Sequence, residues 1–291
     1  MSIFTGSAVA IITPFNADGS INYDAFKNMV ETQIAAGTSA IAVACTTGEA
    51  STIDDAEQIK LIKYCVDIVN KRVPVIAGAG SNDTAHAVEL SKQAEAAGAD
   101  ALLVVTPYYN KCTQKGLIKH YTTIAESVNI PIIVYSVAGR TGVNIAASTV
   151  YELAKVKNIV AIKEASGDLS QIAKIAANCD IDIYSGNDDQ TLPILSLGGI
   201  GVISVLANVM PKEVADMCAK FFANDVAGAR EIFLSTLNLA NALFIETNPI
   251  PVKTACNLMG MNAGILKAPL YDMEPANLEV LKAELAKHNL I

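Results

Sequence analysis

Eight short apolar runs recur along the chain, at 7–12 (SAVAII), 40–44 (AIAVA), 73–78 (VPVIAG), 101–106 (ALLVVT), 131–135 (PIIVY), 159–163 (IVAIK), 182–186 (DIYSG) and 201–206 (GVISVL). Each is continuous rather than alternating, the pattern of a strand covered on both faces, as parallel sheets require. Helix-period stretches separate them. Over 54–71, Ile59, Ile62, Val66 and Val69 recur at helical spacing behind Asp54, Asp55 and Glu57, acids that suit a helix N-terminus. Over 82–99, Ala87, Leu90, Ala94 and Ala97 share one face and Gly98 stops the helix. Eight such units predict an α/β fold of the closed (β/α)8 TIM-barrel type rather than an open doubly wound sheet. The absence of a GxGxxG after an early strand points the same way.

Beyond about residue 208 the strand pattern stops. Stretches 211–225, 226–244, 249–260 and 274–288 all read as helices, with Pro211 and Pro275 near helix starts. The first closes the barrel. The expected organisation is therefore a catalytic barrel over 1–224 and a C-terminal helical domain, an extension of the barrel, over 225–291.

A chain of 291 residues suits one α/β barrel, and 52% hydrophobic against 17% charged residues supplies a large core. A formal net charge of −8 without a Lys/Arg cluster argues against nucleic acid as a partner. The N-terminus carries no basic leader, its apolar stretch 8–12 is too short for a signal core, and no window approaches the roughly 18 apolar residues of a membrane helix. The six cysteines include no CxxC pair and the three histidines are dispersed, so neither offers metal-ligand spacing. These features predict a cytoplasmic protein with no membrane partner and no metal site.

In such a barrel the chemistry sits where the strands end. ACTTGEAS (44–51) follows the second run, TPYYNK (106–111) the fourth, YSVAGRTG (135–142) the fifth, KEASGD (163–168) the sixth and SGNDDQ (185–190) the seventh. Lys163 ends an apolar strand, where burying an ammonium is costly. It can reach solvent or pair with Glu164; alternatively it is a Schiff-base lysine, since a desolvated amine is free to attack a ketone. Tyr135 ends the neighbouring strand and either packs the rim or shuttles protons for such an imine. Thr46, Thr47 and Gly48 form a turn whose hydroxyls and amides can hold a carboxylate, or cap a helix. Arg140 is either a surface arginine or a bidentate partner for a second carboxylate. Gly198, Gly199 and Gly201 precede their strand and so form a tight turn at the opposite face rather than a phosphate site. Cys45 lacks an evident base and reads as a small filler.

Taken together, AIITPF, TTGEAST, TPYYNK, GRTG, IKEASGD, YSGNDD, GGIGVISVLANV and NPIPVK resemble the dihydrodipicolinate synthases, a branch of the pyruvate-dependent class I aldolases. The resemblance spans essentially the whole chain. It implies condensation of pyruvate with L-aspartate 4-semialdehyde in diaminopimelate and L-lysine biosynthesis, with no metal or organic cofactor. Lys163 then matches the imine-forming lysine, with Tyr135, Thr47 and Tyr109 as a proton relay, Tyr109 entering the neighbouring subunit's site. Thr46 and Thr47 would bind the pyruvate carboxylate, Arg140 that of the semialdehyde, and Gly186 and Ile203 would line the pocket. The expected assembly is a homotetramer, a dimer of dimers. The alternatives are a sister lyase, such as N-acetylneuraminate lyase or a 2-keto-3-deoxy sugar-acid aldolase, or a non-catalytic pyruvate-binding barrel.

Three departures accompany the resemblance. Ser136 and Ala138 replace the family's Asn and Pro before the arginine, which predicts a freer loop around Arg140. Cys45 stands where a glycine is common and is expected to crowd the turn if glycine's freedom is needed there. At the family's allosteric lysine site Asn82 and Tyr108 match, whereas Asp55 and Gln58 stand at the histidine positions and His86 at the glutamate. Weak lysine inhibition is the expectation, with Asp55 the one acid able to compensate.

Overall fold

The computed structural model describes residues 2–291. Among them, eight parallel strands close into a barrel in sequence order: β1 (Gly6–Ala10), β2 (Ala40–Val43), β3 (Val75–Gly78), β4 (Ala101–Val105), β5 (Ile132–Ser136), β6 (Ile159–Glu164), β7 (Asp182–Ser185) and β8 (Gly201–Ser204). All eight apolar runs thus become strands. Their continuity has a simple origin. One set of side chains, including Val9, Ile41, Val43, Leu102, Val104, Val134 and Ile162, packs outward under the helices. The other, including Ala8, Ala10, Ala40, Ala42, Ala101, Leu103, Ile133, Ala161 and Ile203, fills the interior. Both faces are therefore dry.

The interior is lined with alanine on four strands and plugged from below by aromatic rings. Tyr184 is fully buried and stacks on Phe4 with centroids 4.2 Å apart. Its hydroxyl donates to the Phe4 carbonyl at 2.8 Å.

Helices Asp55–Val69 and Thr84–Ala96 follow the predicted stretches to within about three residues. Asp54 and Asp83 cap them by accepting from the Glu57 and Ala85 amides, at 2.8 and 3.0 Å; such caps each contribute about 1 kcal/mol. Gly198, at φ +98°, and Gly201, whose Cβ would lie 2.3 Å from the Gly6 carbonyl oxygen, form the turn into β8 at the barrel's lower end. After β8 come helices Pro211–Phe222, Val226–Ala242, Ile250–Leu258 and Pro275–Lys287. Residues of the last three join the core that lies between the strands and the helical layer.

Candidate active site

Lys163 is the penultimate residue of β6, where pleat alternation turns it inward above Ala161. It is 4% exposed, and the inward residue nearest it on the strand is Ala161. Ile162 packs outward, so the dry wall around the amine comes from neighbouring strands rather than from its own apolar run. Tyr135 of β5 is its cross-strand partner, and Nζ lies 4.3 Å from the Tyr135 ring centroid. Glu164 points the opposite way and does not pair with the lysine. Its carboxylate accepts from the Ser166 amide at 2.8 Å and from Gln171 Nε2 at 3.1 Å, while burial raises its pKa.

A cavity of about 190 Å³ opens above the amine, lined by Thr46, Thr47, Tyr135, Arg140, Lys163 and Gly186 among others. Gly186 has no room for a side chain: a Cβ there would stand 2.7 Å from Ala165 Cβ and 3.2 Å from Lys163 Cε. Ile203 is buried on β8 in the interior cluster below. Asp188, also buried, accepts from Ser204 Oγ at 2.5 Å and from the Val205 and Leu206 amides, both at 2.9 Å. It ties the end of β7 to the end of β8, with burial raising its pKa and the Lys163 charge acting against that rise.

The backbone decides the condition set on Cys45, which sits as a small buried filler. The left-handed residue before the turn is Ala44, at φ 53°, so the turn asks no glycine freedom of position 45. Cys45 Sγ donates to the Val43 carbonyl at 3.4 Å, and burial pushes the thiol up to about 11, keeping it protonated at neutral pH. The Arg140 loop carries local structure despite lacking the proline. Residues Ala138–Thr141 form one helical turn, and Thr141 Oγ1 accepts from Thr106 Oγ1 at 3.0 Å and has its one proton within reach of the Val143 carbonyl at 3.1 Å or that of Val137 at 3.3 Å.

Two residues of the candidate relay, Tyr135 and Thr47, reach this cavity. Tyr109 does not: it is 90% exposed, in a left-handed conformation at φ 72°. A neighbouring cavity of about 510 Å³ shares Cys45, Thr46, Tyr135, Val137 and Arg140 with the first, and reaches Asp55, His86 and Tyr108. Here His86 Nε2 meets Asp55 Oδ2 at 2.9 Å and Nδ1 meets Ser81 Oγ at 3.1 Å. Asn82 stands beside this group and accepts through its carbonyl from Asn110 Nδ2 at 2.8 Å.

The sequence reading assigned no role to three residues that hold the mouth together. Asn248, in the C-terminal extension, donates to Thr47 Oγ1 at 3.1 Å and accepts through its carbonyl from Arg140 Nη2 at 2.9 Å. Glu49 and Lys253 form an ion pair at 2.6 Å with both side chains 1% exposed. Glu49 also accepts from the Lys267 amide at 2.9 Å, and the Lys253 ammonium sits 4.1 Å above the Phe15 ring. The signal lay in TTGE and NPIPVK, motifs that carry these residues 201 and 204 positions apart along the chain.

A buried amine on β6, a phenol on β5 and a hydroxyl turn after β2 around one small cavity define a lysine-centred (β/α)8 barrel. The sequence pattern of the dihydrodipicolinate synthetase family matches residues 3–288, and the chain belongs to that family. It is 57% identical to 4-hydroxy-tetrahydrodipicolinate synthase 1 of Clostridium acetobutylicum, covering 100% of both chains. Dihydrodipicolinate synthase from Aquifex aeolicus superposes with a TM-score of 0.96 at 45% identity, over 99% of each chain. The chloride-inhibited enzyme from Acinetobacter baumannii, solved with pyruvate, gives 0.96 at 43% identity, again over 99% of each chain. Among the described residues no cluster of His, Cys, Asp or Glu is arranged to hold a metal ion, and no helix is long and apolar enough to cross a membrane.

Proposed function

We propose that the chain is a lyase that condenses pyruvate with L-aspartate 4-semialdehyde to 4-hydroxy-tetrahydrodipicolinate, in diaminopimelate and L-lysine biosynthesis. The observation that carries this is the buried Lys163 amine beside Tyr135 at the floor of a cavity sized for small carboxylates, in a member of this family. Lys163 Nζ attacks the pyruvate ketone; the carbonyl oxygen takes up protons and leaves as water, giving the iminium. Loss of a methyl proton yields an enamine, which adds to the semialdehyde carbonyl. The semialdehyde amine then displaces Lys163 and closes the ring, so one water is released overall. Thr46 and Thr47 hold the pyruvate carboxylate, Arg140 the second carboxylate, and Tyr135, Thr47 and Tyr109 pass protons. Gly186 leaves space beside the lysine, and Ile203 lines the floor.

The exposure and left-handed backbone of Tyr109 support its insertion into a partner's site, within a homotetramer built as a dimer of dimers. The six thiols, none in a disulfide among the described residues, suit a reducing cytoplasm. Residues 1–224 form the catalytic barrel in this reading, and 225–291 the extension that braces its mouth. Lysine feedback is weak, because Asp55 is already engaged by His86; half-inhibition at sub-millimolar lysine in a steady-state assay would reject this.

Borohydride reduction with pyruvate, followed by peptide mass analysis, tests the mechanism: the adduct is expected on Lys163. A coupled assay with aspartate semialdehyde tests the second substrate. An adduct on another lysine, or trapping without condensation, would overturn the proposal.

A further inference from the structure

Asn248 is 5% exposed and joins two groups that the proposed reaction needs apart from each other. Its Nδ2 donates to Thr47 Oγ1 and its main-chain oxygen accepts from Arg140 Nη2, while Oδ1 has no protein partner. A threonine hydroxyl has one proton to give and lone pairs to receive. Among the described residues Asn248 is the one side chain bonded to Thr47 Oγ1, and it bonds as the donor. The Thr47 proton is therefore left for an acceptor in the cavity, which is lined by Thr47, Asn248, Tyr135 and Lys163 together.

We infer that Asn248 is a positioning residue that fixes the polarity of the Thr47 hydroxyl, making it a proton donor toward the cavity, and holds Arg140 over the same space. This rests on the reading of Thr47 as a proton-relay member. Were the amide reversed, Oδ1 would take the Thr47 proton and the hydroxyl would have none to offer. An acceptor at position 248 is thus worse than no polar group at all.

That ordering separates polarity from packing. Asn248→Ala is expected to lower kcat about tenfold, the scale of one lost hydrogen bond, with KM for pyruvate within about twofold of the parent. Asn248→Asp keeps the shape but, ionised, accepts the Thr47 proton; its kcat at pH 7.5 falls below that of the alanine variant. The Arg140 and Lys163 cations at the same cavity keep that carboxylate ionised at neutral pH. A purely structural role gives the opposite order, with the isosteric aspartate the milder change.

All three proteins are assayed at pH 7.5 for borohydride-trapped pyruvate adduct, for kcat and KM of condensation, and for thermal unfolding. Unchanged kcat in Asn248→Ala, or Asn248→Asp outperforming it at pH 7.5, overturns the inference while leaving Lys163 chemistry intact. Failure of the parent protein to form the adduct overturns the underlying reading instead, and this inference with it.

Discussion

Replacing Lys253 by methionine removes the ammonium from the 2.6 Å pair with Glu49 while leaving an aliphatic chain of similar length against Phe15. Glu49 is 1% exposed, and the Lys267 amide at 2.9 Å becomes its remaining strong donor. An unpaired carboxylate in such a place costs about 3–5 kcal/mol, whereas a buried pair exchanged for well-shaped neutral groups is often near neutral. Lys253→Met and Glu49→Gln should therefore each destabilise strongly, and the double variant should cost less than either alone. For a chain this long, about 2 °C of melting temperature accompanies each kcal/mol, so each single variant is expected to melt roughly 6–10 °C low. A coupling of at least about 2 kcal/mol should emerge from the cycle. Burial pulls the Lys253 ammonium below its usual value and Glu49 pulls it back, so the pair is held together by mutual need rather than by surplus attraction. Thermal unfolding followed by circular dichroism measures the cycle, and the pyruvate adduct reports the turn that Glu49 anchors. Additive single effects, or single variants as stable as the parent, would refute the reasoning.

Gly186→Ala should push the Lys163 stem aside, since the new Cβ would stand 3.2 Å from Cε and 2.7 Å from Ala165 Cβ. A stability loss of about 1–3 kcal/mol is expected, together with a more than tenfold slower adduct formation by the order-of-magnitude cost of misplacing a reacting group. His120 is buried against Thr84, and burial lowers its pKa to about 4 from an ordinary 6.5, with Asp83 opposing the shift. The unfolded chain therefore binds that proton more readily, and the contribution to stability is whole above pH 6.5 and declines as pH falls toward 4. His120→Asn should flatten this acid limb in melting scans, and an unchanged slope would count against it. Tyr109→Phe should leave melting unaffected and lower kcat by about 100-fold, the scale of one lost proton-transfer partner; an effect below twofold would remove Tyr109 from the relay.

The barrel was legible because each strand repeats one physical demand, dryness on two faces, and eight repetitions leave little choice of topology. Lys163, Tyr135, Thr47 and Arg140 were legible because the fold dictates where strand ends converge. The bracing of the mouth was not. Asn248 and Lys253 meet their partners across 201 and 204 residues, and no local period or spacing encodes such a meeting. Whether Cys45 crowds its turn was open for a related reason: the left-handed residue is its neighbour Ala44, and a one-residue offset in backbone conformation leaves no trace in composition. Tyr109 shows a third limit: at 90% exposure it meets no site within its own chain, so the fold alone gives it no role.

The stacked Phe4 and Tyr184 rings give the barrel a sealed lower end. The cavity above Lys163 therefore has no route through the barrel's base. In the proposed reaction pyruvate, semialdehyde, the expelled water and the cyclic product all pass on the upper side, where Arg140 lines both this cavity and its larger neighbour. The second substrate then enters over an occupied floor, and the product, the last and bulkiest occupant, leaves on the side from which its precursors came.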